Sequence, residues 1–158
     1  MSKALEPQRK RLVIAMSEEE RHEYLATQRM CRLATVSSEG APHVSPLWFV
    51  WDGERAWIYS IVKSQRWVNV RSNPRASLVV DDGDGYEELR GVEITGVMAP
   101  VGEIPRTGVP DEALGIPEQL FGEKYSRGDM THDGRHAWLC LVPDKIVSWD
   151  FSKLSALK

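Results

Sequence analysis

Apolar and polar positions change period several times along the chain, and each change marks an element. Ser17-Glu18-Glu19-Glu20 reads as a capping box, with Ser17 capping and Glu20 reaching back, so a short helix is expected over about residues 18–28. Its acidic first turn suits the positive end of the helix dipole. The period then drops to two. Residues 31–37 alternate as a strand and end at the turn Ser38-Glu39-Gly40. Residues 43–51 form an extended apolar run containing Pro46. A proline cannot donate to a ladder, which puts this strand at an edge, a bulge or a bend. Asp52-Gly53 is a hairpin signal, and residues 55–61 return from it. Ser64 reads as an N-cap and Asn73-Pro74 as a stop, framing a two-turn helix over 65–72. Residues 75–81 and 89–101 read as strands, the second with Gly91 and Gly96 placed to bend or bulge it. Prolines and glycines crowd residues 105–127, where helical pieces are expected at 111–114 and 117–125. Two last strands, 136–142 and 145–151, are joined by a Pro143-Asp144 turn.

Six or seven strands with short connections imply a mainly antiparallel sheet, and closure into a small barrel removes its exposed edges. No repeat recurs at a fixed period, and no Gly-x-Gly-x-x-Gly follows a strand, which argues against solenoids and Rossmann folds. The chain's 158 residues suit one domain. We divide it into an N-terminal tail (1–16), a barrel domain (17–152) and a C-terminal tail (153–158). The five apolar residues 12–16 are too few for a signal peptide or a membrane span, so a cytoplasmic location is the default expectation. Two cysteines, Cys31 and Cys140, exclude a disulfide scaffold.

A net charge of −3 argues against a nucleic-acid-coating protein, but the total conceals a segregation. Residues 62–75 carry Lys63, Arg66, Arg71 and Arg75 and no acid, and residues 81–88 carry Asp81, Asp82, Asp84, Glu87 and Glu88. A serine-capped helix start flanked by Lys63 and Arg66 is chemically a phosphate site, since free amides, the dipole, a hydroxyl and two cations converge there. The same charges also fit a solvated helix face. Trp48, Trp51, Trp57 and Tyr59 sit on adjacent strands and either frame a planar ring or form a tryptophan-rich core or interface. His132 and His136 have metal-compatible spacing around Asp133, yet no companion ligand motif, so no metal is expected. No catalytic nucleophile stands out.

Taken in order, Leu33-Ala34-Thr35, Gly40-x-Pro42-His43, Trp48, Lys63-Ser64-Gln65-Arg66, Asn69-Val70-Arg71, Asn73-Pro74-Arg75 and Leu89-Arg90-Gly91-Val92 form a series. With Gly96 beyond it, this series resembles the flavin/deazaflavin oxidoreductases related to pyridoxamine 5′-phosphate oxidase, and most of all the branch that uses the deazaflavin coenzyme F-420. The resemblance covers residues 17–101, and the Val147-Ser148-Trp149-Asp150-Phe151 ending also fits. It implies a mainly β fold, a six-stranded antiparallel split β-barrel with short peripheral helices. It also implies a homodimer with cofactor sites at the subunit interface. Lys63, Ser64, Gln65 and Arg66 then occupy the segment that holds the cofactor phosphate, with Ser60 beside it. Ser45, Pro46, Leu47 and Trp48 lie on the strand that lines the ring, Arg90 contributes to the groove, and the 82–86 loop reaches the ring from the partner. The activity implied is reduction of an unsaturated small molecule by F-420, with FMN as the alternative cofactor. A flavin- or haem-binding module without efficient turnover is the competing class. Ser64-Gln65-Arg66 stands where pyridoxamine-phosphate oxidases carry a Ser-Arg-Lys type motif, and their C-terminal Arg-Leu-x-Pro signature is missing, which argues against that oxidation. Residues 102–135 have no counterpart in the resemblance.

Overall fold

The computed structural model describes residues 3–157. Helix α1 (Glu18–Thr27) starts on the expected capping box, with Ser17 N–H donating to Glu20 Oε2 at 2.6 Å and Glu20 N–H to Ser17 Oγ at 3.2 Å. Seven strands follow: β1 (Met30–Val36), β2 (Pro42–Trp48), β3 (Val50–Trp51), β4 (Ala56–Ile61), β5 (Arg75–Asp82), β6 (Arg90–Val101) and β7 (His136–Asp150). Helix α2 (Gln65–Ser72) spans the predicted residues, and α3 (Gly115–Tyr125) runs two residues longer at its start than the predicted piece. No helix among the described residues is long and apolar enough to cross a membrane.

The strands form one sheet in the order β2-β1-β5-β6-β7-β4-β3, every neighbouring pair antiparallel. Its two edge strands, β2 and β3, are joined in the chain by Phe49 alone. A sheet whose opposite edges are one residue apart has to curl, so the split-barrel architecture follows from connectivity. Pro46 sits on the edge strand β2, where its missing N–H costs no ladder bond.

Two expected boundaries move. The single strand over 43–51 is two strands, because Phe49 leaves the ladder at the barrel seam. The expected hairpin at Pro143-Asp144 is one continuous strand, β7. Thr95 pairs with Lys145 and Gly96 with Pro143, so Asp144 is an extra residue bulged out of the ladder. The bulge bends β7, letting it pair with β6 along its length and with β4 at its start. Gly96 is required there, since a Cβ would lie 2.0 Å from the Val142 carbonyl oxygen. Gly96→Ala is therefore expected to cost about 1–3 kcal/mol by forcing backbone apart. A denaturant midpoint equal to that of the parent protein would refute this.

The core lies between the curled strands and α2, which contributes Trp67 and Val70 to it beside Leu33, Ile58, Leu78 and Ile94. A second cluster lies outside the sheet under α3, around Trp57, Leu114 and Trp138. Residues before α1 lie along β7: Ser148 receives the Met16 amide at 2.9 Å, and Ile14 and Met16 are buried.

Candidate functional site

The end of β4 and the start of α2 meet where the cationic segment predicts an anion site. Strand alternation turns Ser60 inward with Ala56 and Ile58, and it is fully buried. Its Oγ lies 3.3 Å from Ser64 Oγ and accepts from Arg66 Nε at 3.0 Å. Ser64 caps α2, accepting from the Trp67 amide at 3.3 Å. Gln65 donates to Asn69 Oδ1 at 2.8 Å, and Asn69 donates to the buried Thr35 hydroxyl at 3.1 Å, which ties the helix to β1. Arg66 is half-buried and has no carboxylate partner among the described residues. Burial lowers its pKa, so the fold carries an unpaired guanidinium at a cost. Only Nε is engaged, leaving the other N–H groups in a fork suited to phosphate. Lys63 is exposed nearby, and the Val62 amide donates to the Arg135 carbonyl at 3.1 Å, which brings the Arg135 backbone alongside this segment.

Period-two alternation divides the strand expected to line a ring. His43, Ser45 and Leu47 face inward on β2, whereas Pro42, Val44, Pro46 and Trp48 face outward and are exposed. The inward face is the one α2 covers, because His43 stands opposite Thr35 in the ladder and Thr35 is bonded to Asn69. On that face His43 Nδ1 and Ser45 Oγ are buried with no hydrogen-bond partner. Such unmet capacity is rare in a finished fold and fits a site that a ligand completes. His43 carries no site role in the sequence reading, although its alternation with Ser45 places both on one face. On the outer face Trp48 is 47% exposed and stacks on Tyr125, with ring centroids 4.4 Å apart and planes 7° apart. Of the four aromatics of the hairpin, Trp51 and Trp57 are buried packing residues.

Arg90 stands elsewhere in the chain. It grips Asp82 through two bonds of 3.0 Å and lies over the Tyr24 ring. Along β7, Ser60 pairs with Ala137 and Arg90 with Asp150. That separation is about 40 Å of bent strand. Arg71 lies in the last turn of α2, about 10 Å along the helix from its capped start, and Arg75 begins β5 beyond the far end.

The two histidines considered for a metal are committed to carboxylates. His132 pairs with Glu118 at 3.0 Å and His136 with Asp133 at 2.6 Å, in separate clusters. Burial pushes the Cys31 and Cys140 thiols up to about 12 and about 11, which keeps them protonated. Burial likewise pushes Tyr59 up to about 12, and its hydroxyl has no partner. Cavities of about 510 and 670 Å³ within the chain are lined by other residues, the first around Trp51 and His22 and the second around Pro42 and Ser77.

A family model described as pyridoxamine 5′-phosphate oxidase matches residues 17–150. The chain is 41% identical over 123 residues to a 5a,11a-dehydrotetracycline/5a,11a-dehydrooxytetracycline reductase of Streptomyces rimosus subsp. rimosus, covering 72% of this chain and 86% of that one. Among solved structures it is similar to the conserved hypothetical protein Rv2991 from Mycobacterium tuberculosis, with a TM-score of 0.80 and 32% identity over 94% of this chain and 93% of that one. It is also similar to an F420 reductase, with a TM-score of 0.58 and 26% identity over 79% and 94% of the two chains.

Proposed function

The chain belongs to the pyridoxamine 5′-phosphate oxidase family, and from that premise we propose that it is a flavin- or deazaflavin-type oxidoreductase. Its specific role is a reductase that takes coenzyme F-420 and delivers hydride to an unsaturated small molecule. The observation that carries this reading is the unpaired, half-buried Arg66, aligned by Ser60 beside the Ser64-capped start of α2. A reductase-named relative and an F420 reductase of like fold support the reaction class.

The donor set fits a phosphate. Arg66 presents its fork, Ser60 and Ser64 present hydroxyls, and the first amides of α2 point the same way. Ser45 and His43 offer their open polar atoms from the facing strand. F-420 carries an extended anionic tail beyond its phosphate and FMN carries nothing there, and the exposed Lys63 and the neighbouring Arg135 are the cations offered for such a tail. This placement favours the deazaflavin over the alternative FMN. When bound, the cofactor supplies the hydride, and the chain's part is to hold it and exclude water.

We also propose a homodimer with the sites at its interface. Val44 and Trp48, 66% and 47% exposed, with Met30 and Val97 leave the outer sheet face apolar and uncovered. An Arg90 that served the same groove would come from the partner subunit, since within one chain it is bound to Asp82 and pairs near the opposite end of β7 from Ser60.

Parallel fluorescence and absorbance titrations with F-420, FMN and haem test the reading. F-420 is expected to bind more tightly than FMN. Lys63→Ala with Arg135→Ala is expected to weaken F-420 about tenfold and leave FMN unchanged. FMN or haem binding more tightly than F-420 would move the chain to the alternative class.

A further inference from the structure

Phe49 is the one residue between β2 and β3, and it has no place in the ladder. Its backbone groups are nonetheless occupied, by side chains from the last turn of α3. The Phe49 amide donates to Tyr125 Oη at 3.2 Å, and the Phe49 carbonyl accepts from Tyr125 Oη at 2.7 Å and from Lys124 Nζ at 3.3 Å. The Tyr125 hydroxyl has one hydrogen and two carbonyls at 2.7 Å, those of Phe49 and Arg29, so it serves one at a time. Lys124 keeps the Phe49 carbonyl bonded in either case. It also reaches the Leu25 carbonyl at 3.4 Å and lies 4.2 Å from the centre of the Phe49 ring. The ring of Tyr125, meanwhile, is the surface on which Trp48 stacks.

We propose that Lys124 and Tyr125 are positioning residues that clamp the β2–β3 seam and thereby set the orientation of Trp48 on the strand that lines the cofactor groove. This rests on the reading of residues 45–48 as that strand. Helix α3, which carries the clamp, otherwise has no assigned part in the site. The clamp is stiff at its far end, because Glu118 on α3 is bound to Arg106, His132 and Trp138.

Lys124 gives the clamp a signature that a packing residue would lack. Burial lowers its pKa to about 8, and the nearby Arg29 pushes the same way. No carboxylate pairs with Lys124 among the described residues. Above that pH the amine loses its attraction to the Phe49 ring. The folded value lies below the ordinary one of 10.5, so this group adds stability as pH rises from about 8 to 10.5.

The test uses the cofactor-free chain and reads Trp48 from the fluorescence difference between the parent protein and Trp48→Phe. The parent signal is expected to titrate near pH 8, and Lys124→Met to abolish that step while the protein stays folded. Tyr125→Phe, which keeps the ring and loses the hydroxyl, is expected to change the Trp48 signal and to weaken F-420 binding about tenfold. A Trp48 signal without the pH step, or identical in the parent and both variants, overturns the clamp. If the signal responds as stated but F-420 does not bind the parent protein, the clamp stands and the cofactor reading fails.

Discussion

Arg66→Ala is expected to weaken F-420 binding about 100-fold, the loss that follows when a charged hydrogen bond to phosphate disappears from a half-buried site. Arg66 donates to Ser60 Oγ at 3.0 Å and to no carboxylate among the described residues. Its removal therefore breaks no ion pair and relieves a desolvated charge, so the melting temperature is expected to hold or rise slightly. Affinity and stability move in opposite directions, and that separates a ligand-binding arginine from a structural one. Arg66→Lys is expected to recover part of the affinity, because it restores the charge and not the planar fork. Unchanged F-420 affinity in Arg66→Ala would remove the phosphate assignment and the functional reading with it.

Glu118→Ala is expected to be the most destabilising single change in the segment that carries α3. Arg106 is 2% exposed, and Glu118 meets it through bonds of 2.9 and 2.7 Å while also receiving Trp138 Nε1 at 3.0 Å and pairing with His132. Glu103 and the Val109 carbonyl complete the cage around the guanidinium. Taking Glu118 away leaves a buried charge half-compensated, at about 3–5 kcal/mol, which is on the order of 10 °C in melting temperature for a chain of this size. Thermal unfolding followed by circular dichroism measures it, and a loss below about 1 kcal/mol would show the network to be dispensable. The pH dependence has a definite sign. Burial opposes the charged form of Glu118, but Arg106, His132 and Trp138 outweigh it and hold the carboxyl at about 2, below the ordinary 4.5. Its contribution is present above pH 4.5 and disappears as pH falls toward 2. The Glu118→Ala protein is accordingly expected to show a flatter acid limb over that window.

Local chemistry carried most of the element boundaries. The Ser17–Glu20 box, the Ser64 cap with its Asn73-Pro74 stop, and the glycine at the bulge all act within a few residues, so their signals are complete in the chain itself. The two misplaced boundaries share one cause. Whether extended residues continue a strand depends on the partner's register: the β6 ladder carries β7 through Pro143, and the seam breaks 43–51 at Phe49. The same limit applied to the site. Lys63, Ser64 and Arg66 were legible together from the cap and the local charge, whereas Ser60 and Gln65 entered only through the family resemblance. The grouping of Ser45 to Trp48 was legible only in part, since strand alternation sends Ser45 and Leu47 to one face and Pro46 and Trp48 to the other.

By itself, then, the sequence determined that this is a mainly β barrel with a serine-capped, cation-flanked helix start. Those features are set by period, capping and local charge. Tertiary structure alone decided which residues meet across long separations: Tyr125 against Trp48, Glu118 around Arg106, and Arg90 with Asp82 far from Ser60. Contacts of that kind depend on how the curled sheet folds back on itself, which no local pattern encodes.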